Sequence, residues 1–237
     1  MFPYFGTKTS LVKFYPRPTR DLIIEPFAGA AAYALRYWQH DILLVDRDPT
    51  IIKLWKWLQI VDDDYIRNIP QIEHAQNIDE MDWDCEEVKI FLGFIIAANP
   101  SAPRKTATIF TTTARPNRQR FTKNRIASHL HKIRHWQIEC KSYDEIHNME
   151  ATWFIDPPYL KAGINYRYHH IDYAKLAEWC TSRTGQVIVC EGADADWLPF
   201  WPLKVHRGTH KMSTEYLWCN EPTYRQGQIN FDILPTP

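Results

Sequence analysis

Residues 21–49, DLIIEPFAGAAAYALRYWQHDILLVDRDP, decide the fold. Two short apolar runs, DLIIE at 21–25 and DILLVD at 41–46, flank AAAYALRYWQ at 30–39, which has helical periodicity. A strand, a crossover helix and a second strand predict a parallel βαβ unit. The pattern continues outward, with helices predicted at 50–60 and 172–182, strands at 152–156 and 186–191, and closing antiparallel strands at 213–220 and 227–233.

Length and composition favour one soluble domain with an inserted lobe. The chain has 237 residues, is 45% hydrophobic and carries 28 basic and 28 acidic residues, enough for one full core. Five cysteines without CxxC spacing indicate a reducing compartment and no structural zinc. The longest apolar run, FLGFIIAA at 91–98, is too short to span a bilayer, and the start lacks a signal-peptide pattern. We therefore expect a cytoplasmic protein without a membrane or metal partner.

The net charge of zero hides a local asymmetry between residues 61 and 141. Residues 61–100 hold ten acids against two bases, and residues 101–141 hold ten bases against one acid. The segment PSAPRKTATIFTTTARPNRQRF at 100–121 predicts a loop or hairpin outside the core. A basic run is often a solvated face, but its interleaved aromatic residues here favour contact with nucleic acid.

The turn after the first predicted strand suits a ligand with an adenosine group. EPFAG places Gly29 where a strand turns into a helix, and Asp46 ends the next strand 17 residues later. An acid at the tip of the second strand commonly binds ribose hydroxyls in doubly wound folds. The turn by itself is equally compatible with ordinary tight packing. Since neither GxGxxG nor GxxxxGK[ST] is present, S-adenosylmethionine, which has no phosphates, fits the single glycine best.

The stretch WFIDPPYLKAG at 153–163 ends a predicted strand on Asp156 and two prolines. Ligands bind at the carboxyl ends of such strands. Asp156 and the Pro157 carbonyl can both accept hydrogen bonds from one exocyclic NH₂ group, and Tyr159 can stack on the base that carries it. A strand end with a structural diproline is the plainer alternative.

The order of these segments resembles the Dam-like (D12 class) DNA adenine N6-methyltransferases over nearly the whole chain. YFGTK at 4–8 is similar to the opening motif of that family, EPFAGAAAYAL at 25–35 to its glycine turn, VDRDP at 45–49 to its ribose motif and DPPY at 156–159 to its catalytic motif. YAKLAEWC at 173–180 and TEYLWCN at 214–220 resemble its later helix and strand. The resemblance implies a class I Rossmann-like methyltransferase fold with a small inserted recognition lobe.

The resemblance also implies roles for individual residues. It assigns methyl transfer to Asp156, Pro157, Pro158 and Tyr159, and the cofactor to Tyr4, Lys8, Glu25, Phe27, Gly29, Asp46, Tyr143, Asp144 and Asp156. Lys8 is expected near the methionine end of the cofactor, and Tyr143 and Asp144 beside its adenine. The family's second glycine is Ala30 or Ala31 here, and the family segment associated with GATC recognition is missing.

The implied recognition lobe coincides with the basic segment. We predict a catalytic domain formed by 1–60 and 137–237, and a DNA-binding lobe at 61–136. The expected DNA contacts are Arg104, Lys105, Arg115, Arg118, Arg120, Lys123 and Arg125. His129, His131 and His135, expected on a helix, are not joined by an acid or cysteine at metal-ligand spacing.

The resulting prediction is methyl transfer from S-adenosylmethionine to adenine N6 in double-stranded DNA, by a monomer or by a dimer on DNA. Cytosine N4 in DNA and adenine in RNA present the same planar amine and remain alternative substrates. An inactive DNA-binding relic of the fold is a further alternative, for which the alanines in the glycine turn are the hint.

Overall fold

The computed structural model describes residues 1–98, 100–161, 163–207 and 212–221. The strands are β1 (Leu22–Glu25), β2 (Asp41–Asp46), β3 (Gln137–Cys140), β4 (Ala151–Ile155), β5 (Gly185–Glu191), β6 (Trp201–Arg207) and β7 (Met212–Cys219). The α-helices are α1 (Ala32–Arg36), α2 (Pro49–Ile60), α3 (Asp63–Asn68), α4 (Glu86–Ile95), α5 (Arg118–Ala127) and α6 (Tyr173–Thr181). Short 3₁₀ turns lie at Ile78–Glu80, Ile109–Thr111, Leu130–Lys132, Tyr143–Glu145 and Gly163–Asn165.

Within these residues, seven strands form one sheet in the order β3-β2-β1-β4-β5-β7-β6. The pairs β3–β2, β2–β1, β1–β4 and β4–β5 are parallel, and β7 runs antiparallel to both β5 and β6. The chain therefore has a mixed α/β fold with a mainly parallel sheet, compatible with a Rossmann-like fold.

The central strands are apolar on both sides because both faces of the sheet are covered. Ile23 of β1 and Phe154 of β4 belong to one buried cluster, together with Trp55 of α2. Ile24 and Trp153, the alternate residues, belong to a second cluster that includes Leu176 of α6. This alternation explains why the uninterrupted apolar runs in the sequence predicted these strands well.

The predicted lobe at 61–136 packs on one face of this sheet. Ile66 of α3, Phe91 of α4 and Ile126 of α5 lie in the same buried cluster as Trp55. Contacts are frequent between α3 and α5 and between α2 and α4. The segment is therefore an insertion that shares the core of the sheet instead of having a core of its own.

Several local predictions differ from the structure. The helix predicted at 30–39 is shorter in the structure, where α1 covers only Ala32–Arg36. The last residues of the loop predicted at 100–121 form the beginning of α5. That segment is not wholly outside the core, because Thr111 and Gln119 are buried. The histidine region is not an α-helix: α5 ends at Ala127, and His131 lies in a 3₁₀ turn.

The C-terminal strands were predicted in part. STEYLWCN corresponds to β7, and the strand predicted at 227–233 lies outside the described residues. Strand β6 was not predicted, since Pro202 and the charged residues after it weaken the apolar pattern. It borders only β7 in the sheet order, and a proline is tolerated in such an edge strand.

Candidate active site

A pocket opens at the carboxyl ends of β1, β2 and β4, where sheets of this kind bind ligands. It encloses about 720 Å³, including its opening to solvent. Four segments distant in sequence contribute to its lining, which contains Tyr4–Lys8, Glu25, Phe27–Ala32, Asp46–Asp48, Phe154, Asp156, Pro158 and Tyr166–Tyr168. Among the residues predicted for the cofactor, the fold thus brings Tyr4, Lys8, Glu25, Phe27, Gly29, Asp46 and Asp156 together.

The turn between β1 and α1 forms one wall of the pocket. Gly29 has φ 43°, and its N–H donates to Oδ2 of Asp46 at 3.1 Å. The carbonyl of Gly29 accepts from Nε1 of Trp55 at 2.8 Å. A Cβ at Gly29 would lie 3.1 Å from the Tyr4 ring, so the glycine leaves room for that ring. Tyr4, Gly29 and Asp46 are therefore fixed relative to one another before any ligand binds.

Ala31 takes the backbone conformation that normally favours glycine. It has φ 48° and ψ 52° and precedes the first residue of α1, without a side-chain cap. The left-handed region costs an L-residue roughly 1–2 kcal/mol. Ala31, one of the two alanines that stand where the resembled motif has its second glycine, thus carries backbone strain inside the candidate site.

Glu25, the last residue of β1, stabilises this turn by a hydrogen bond to α1. Its side chain is buried, and Oε1 accepts a hydrogen bond from the N–H of Ala34 in α1 at 2.6 Å. Burial raises the pKa of Glu25 to about 8, against the opposing effect of the Ala34 hydrogen bond. Glu25 is thus a largely protonated acid at neutral pH that connects the end of β1 to α1.

Asp46 presents both carboxylate oxygens to backbone N–H groups. Oδ2 accepts from Gly29, and Oδ1 accepts from Asp48 at 2.9 Å. Burial raises the pKa of Asp46 to about 6, so the group is ionised at neutral pH. Each oxygen has a further lone pair. Asp46 can therefore accept hydrogen bonds from the hydroxyls of a ribose in the pocket.

Lys8 and Asp156 form an ion pair across the pocket. Nζ of Lys8 lies 2.9 Å from Oδ1 of Asp156 and donates to the carbonyl of Gly6 at 3.1 Å. Burial raises the pKa of Asp156, an effect that Lys8 opposes. Burial alone would lower the pKa of Lys8, but Asp156 and Glu215 raise it above its ordinary value.

Oδ1 of Asp156 is paired with Nζ of Lys8 at 2.9 Å. A carboxylate has two oxygens with about four lone-pair sites, so acceptor capacity is left over beside Lys8. The carboxylate at the end of β4 is thus able to accept a hydrogen bond from an incoming amine.

The rest of the DPPY turn is anchored away from the pocket. The carbonyl of Pro158 accepts from the hydroxyl of Tyr173 in α6 at 2.6 Å. The hydroxyl of Tyr159 donates to Oε1 of Glu215 in β7 at 2.6 Å. Pro157 and Tyr159 do not belong to the described lining of the pocket. Asp156 and Pro158 therefore face the pocket, and Tyr159 lies behind them.

Tyr143 and Asp144 lie in an adjoining cleft. That cleft is also lined by Phe27, Arg47 and Tyr168, which it shares with the main pocket. The rings of Phe27 and Tyr143 are 5.5 Å apart between centroids. The predicted cofactor residues thus occupy two neighbouring cavities that meet at Phe27.

Several residues that complete the site were not predicted. The hydroxyl of Tyr166 donates to the carbonyl of Phe5 at 3.1 Å, and the guanidinium of Arg47 lies 5.0 Å from the Tyr168 ring centroid. The run NYRYHH at 165–170 after the DPPY turn was the available signal. Glu215 was also missed, although it is an acid in phase with the buried residues of β7.

The predicted DNA-binding residues lie away from the pocket, and they differ in exposure. Arg104, Lys105, Arg115, Arg120 and Arg125 are exposed, and Arg118 is half-buried. Lys105 pairs with Asp79 at 2.6 Å. Arg115 and Arg118 lie over the Phe110 ring, at 4.5 and 5.4 Å from its centroid.

Lys123 does not fit a DNA-binding role. Its side chain is buried, and Nζ donates to the carbonyl of Ile69. Its position in α5 turns it toward α3 and away from solvent, which the charge count could not reveal. We therefore remove Lys123 from the predicted DNA contacts.

Metal and membrane features are not found in the described ranges. No group of three or more His, Cys, Asp and Glu side chains there could hold a metal ion. Of the helices that the structure describes, none combines the length and apolar character needed to cross a bilayer.

No family model matches the chain, and no curated protein is significantly similar to it. Among solved structures, the chain is similar to a conserved hypothetical protein from Streptococcus pyogenes, with a TM-score of 0.35 and 12% sequence identity. The alignment covers 83% of this chain and 84% of that protein. A likeness at this TM-score carries no argument about fold or function.

Proposed function

We propose that the protein transfers a methyl group from S-adenosylmethionine to N6 of adenine in DNA. One observation carries the proposal: residues of the four segments that resemble the motifs of adenine N6-methyltransferases line a single pocket. These are Tyr4 and Lys8, Glu25 to Gly29, Asp46, and Asp156 with Pro158. The parallel strands β1, β2 and β4 bring Glu25, Asp46 and Asp156 to one edge of the sheet, and the N-terminal segment adds Tyr4 and Lys8 at that edge.

The pocket and cleft fit the parts of the cofactor. Asp46 would accept the ribose hydroxyls, and Lys8 would neutralise the carboxylate of the methionine part. Phe27 and Tyr143 offer rings for the adenine. The bound cofactor supplies an activated sulfonium methyl, and the chain supplies orientation.

Asp156 would act on the target amine. A carboxylate that accepts a hydrogen bond from the exocyclic NH₂ group opposes conjugation of the nitrogen lone pair with the ring, which makes the nitrogen more nucleophilic. The raised pKa of Asp156, caused by burial, also makes it a better acceptor for the proton that the amine loses after methylation. Positioning of the two reactants would supply most of the rate.

Four arginines of the inserted segment support DNA as the substrate. Arg115, Arg118, Arg120 and Arg125 take part in none of the ion pairs found among the described residues, so they are free of acidic partners there. Unpaired guanidinium groups suit phosphate oxygens.

The test is direct. Purified protein is incubated with DNA and methyl-labelled S-adenosylmethionine, and the DNA is digested to nucleosides for mass spectrometry. N6-methyladenine is the expected product, and the variant Asp156→Ala is the matched control. If the product is N4-methylcytosine, the substrate is cytosine in DNA. If methylated adenine is found only in RNA, the substrate is RNA. Cofactor binding without transfer to any nucleic acid would support the inactive relic.

A further inference from the structure

Glu215 is a buried acid behind the candidate active site. Only 3% of its surface is exposed. Oε1 accepts two tyrosine hydroxyl hydrogen bonds, from Tyr15 at 2.7 Å and from Tyr159 at 2.6 Å. Tyr15 belongs to the N-terminal segment and Tyr159 to the DPPY turn, so this one carboxylate connects three parts of the chain.

An acid at this place in β7 is not explained by packing. Glu215 is in phase with Leu217 and Cys219, which are buried core residues of the same strand. Burying a carboxylate costs free energy, and an apolar side chain of similar volume is often at least as stable. A role in holding another group accounts for the acid better than core stability does.

The group that Glu215 holds is Tyr159, whose ring is fixed on several sides. Nζ of Lys8 lies 4.4 Å from the ring centroid, and a Cβ at Gly192 would come within 3.1 Å of Cδ2 of the ring. The hydroxyl is tied to Glu215. Lys8 also pairs with Asp156, so the orientation of the Tyr159 ring and the position of the acceptor carboxylate are coupled through Lys8.

We infer that Glu215 is a positioning residue for the reaction, which holds the Tyr159 hydroxyl and so fixes the DPPY turn that carries Asp156. The inference rests on the proposed function. Glu215 acts through Tyr159 and contacts neither substrate nor cofactor itself.

The test compares Glu215→Leu with Glu215→Gln. Leucine removes the acceptor, and we expect kcat/KM for DNA to fall about tenfold or more, as for a lost hydrogen bond that orients a reacting group. Glutamine keeps a carbonyl oxygen for both hydroxyls and is expected to remain within about threefold of wild type. Cofactor affinity, measured by calorimetry, should be unchanged in both, which separates positioning from damage to the cofactor pocket.

Two further variants exclude a general structural role. Tyr15→Phe deletes the other hydrogen bond to Glu215 and is expected to lower thermal stability while leaving kcat/KM nearly intact. Tyr159→Phe should lower kcat/KM as much as Glu215→Leu does. A variant that combines these two substitutions should lose no more kcat/KM than either alone, since both act through one contact. Additive losses of kcat/KM in the combined variant, or equal losses in Tyr15→Phe and Tyr159→Phe, would overturn the inference.

The outcomes separate the two proposals. If the wild-type protein methylates a nucleic acid and Glu215→Leu retains full kcat/KM, the positioning role is wrong and the proposed function stands. If the wild-type protein transfers no methyl group to any nucleic acid, the proposed function and the positioning role are both overturned.

Discussion

Nζ of Lys8 lies 2.9 Å from Oδ1 of Asp156, and the two side chains are only 9% and 21% exposed. The pair joins the N-terminal segment to the end of β4 at the bottom of the candidate site. Removing one partner of such a pair leaves the other charge poorly solvated. A change at either residue therefore affects folding stability as well as chemistry.

The first prediction concerns this pair. Asp156→Ala should reduce methyl transfer to less than about a tenth of wild type, because the acceptor for the amine is lost. It should also lower the free energy of unfolding. The loss should be smaller than the about 3–5 kcal/mol that follows removal of one partner from a fully buried pair, since Asp156 is partly exposed. Activity assays and urea unfolding measure the two effects.

Lys8→Met combined with Asp156→Ala provides the control for stability. The double variant should recover much of the lost unfolding free energy, since no unpaired charge remains, but no activity. Transfer by a well-folded double variant at the wild-type rate would remove Asp156 from the reaction.

The second prediction concerns Asp46 and the cofactor. Asp46→Ala should weaken binding of S-adenosylmethionine about tenfold or more, because hydrogen bonds to a charged acceptor contribute roughly 1.5–3 kcal/mol. Turnover at saturating cofactor should change much less, since the ribose contact is the same before and during transfer. Asp41→Asn, at the opposite end of β2, is the control for calorimetry. Unchanged affinity in Asp46→Ala would exclude this ribose role.

The third prediction concerns the strained alanine. Ala31→Gly should relieve the left-handed strain at φ 48°. Ala30 is equally buried but does not have a positive φ, so Ala30→Gly loses a similar methyl group without that relief. The Ala31 variant should therefore be more stable than the Ala30 variant by about 1–2 kcal/mol in urea unfolding. The opposite order would mean that Ala31 is not strained.

The fourth prediction concerns pH. Burial raises the pKa of Glu25 from 4.5 to about 8. The folded protein thus binds this proton more tightly than the unfolded chain, so the stability from this group is complete below the lower pKa and is lost as the pH rises toward the upper one. Glu25→Gln keeps an oxygen for the Ala34 N–H but cannot ionise.

The variant should therefore lose less unfolding free energy than wild type between about pH 5 and about pH 8. Urea unfolding across that range gives the comparison. Asp46, whose pKa burial raises from 3.8 to about 6, contributes a decline in both proteins at the acidic end. Parallel curves over the whole range would show that Glu25 is already ionised.

The fifth prediction concerns DNA binding by the inserted segment. Replacing Arg115, Arg118 and Arg120 with alanine removes up to three phosphate contacts, each of which changes the log–log salt slope by about 0.9. DNA affinity should fall and the salt dependence should become shallower, with cofactor affinity unchanged. A single variant that relaxes preference at one base pair by roughly 1–3 kcal/mol would indicate a base contact instead.

Lys123→Met is the matched control in the same helix. Because Lys123 is buried against the carbonyl of Ile69, we expect a change in stability and no change in the salt slope. A wild-type slope in the triple variant would place the DNA surface elsewhere, for example at Lys161 and Arg167 after the DPPY turn.

The sequence by itself determined the central sheet and the ends of its strands. The runs at 22–24, 42–45 and 153–155 are apolar throughout because covered parallel strands are buried on both faces, and such runs are readable without a structure. The polar residues that interrupt them, Asp46 and Asp156, follow at the carboxyl ends. Parallel strands bring those ends to one edge, so the approximate location of the site was predictable.

Only the tertiary structure decided which side chains meet there and which do not. Lys8 reaches Asp156, and Glu215 reaches Tyr159, through contacts between residues distant along the chain. The same packing buries Lys123 while leaving Arg115 and Arg120 exposed. Charge and periodicity describe one segment at a time, whereas burial and pairing depend on the segment that packs against it. The identity of that neighbouring segment is set by the folded chain.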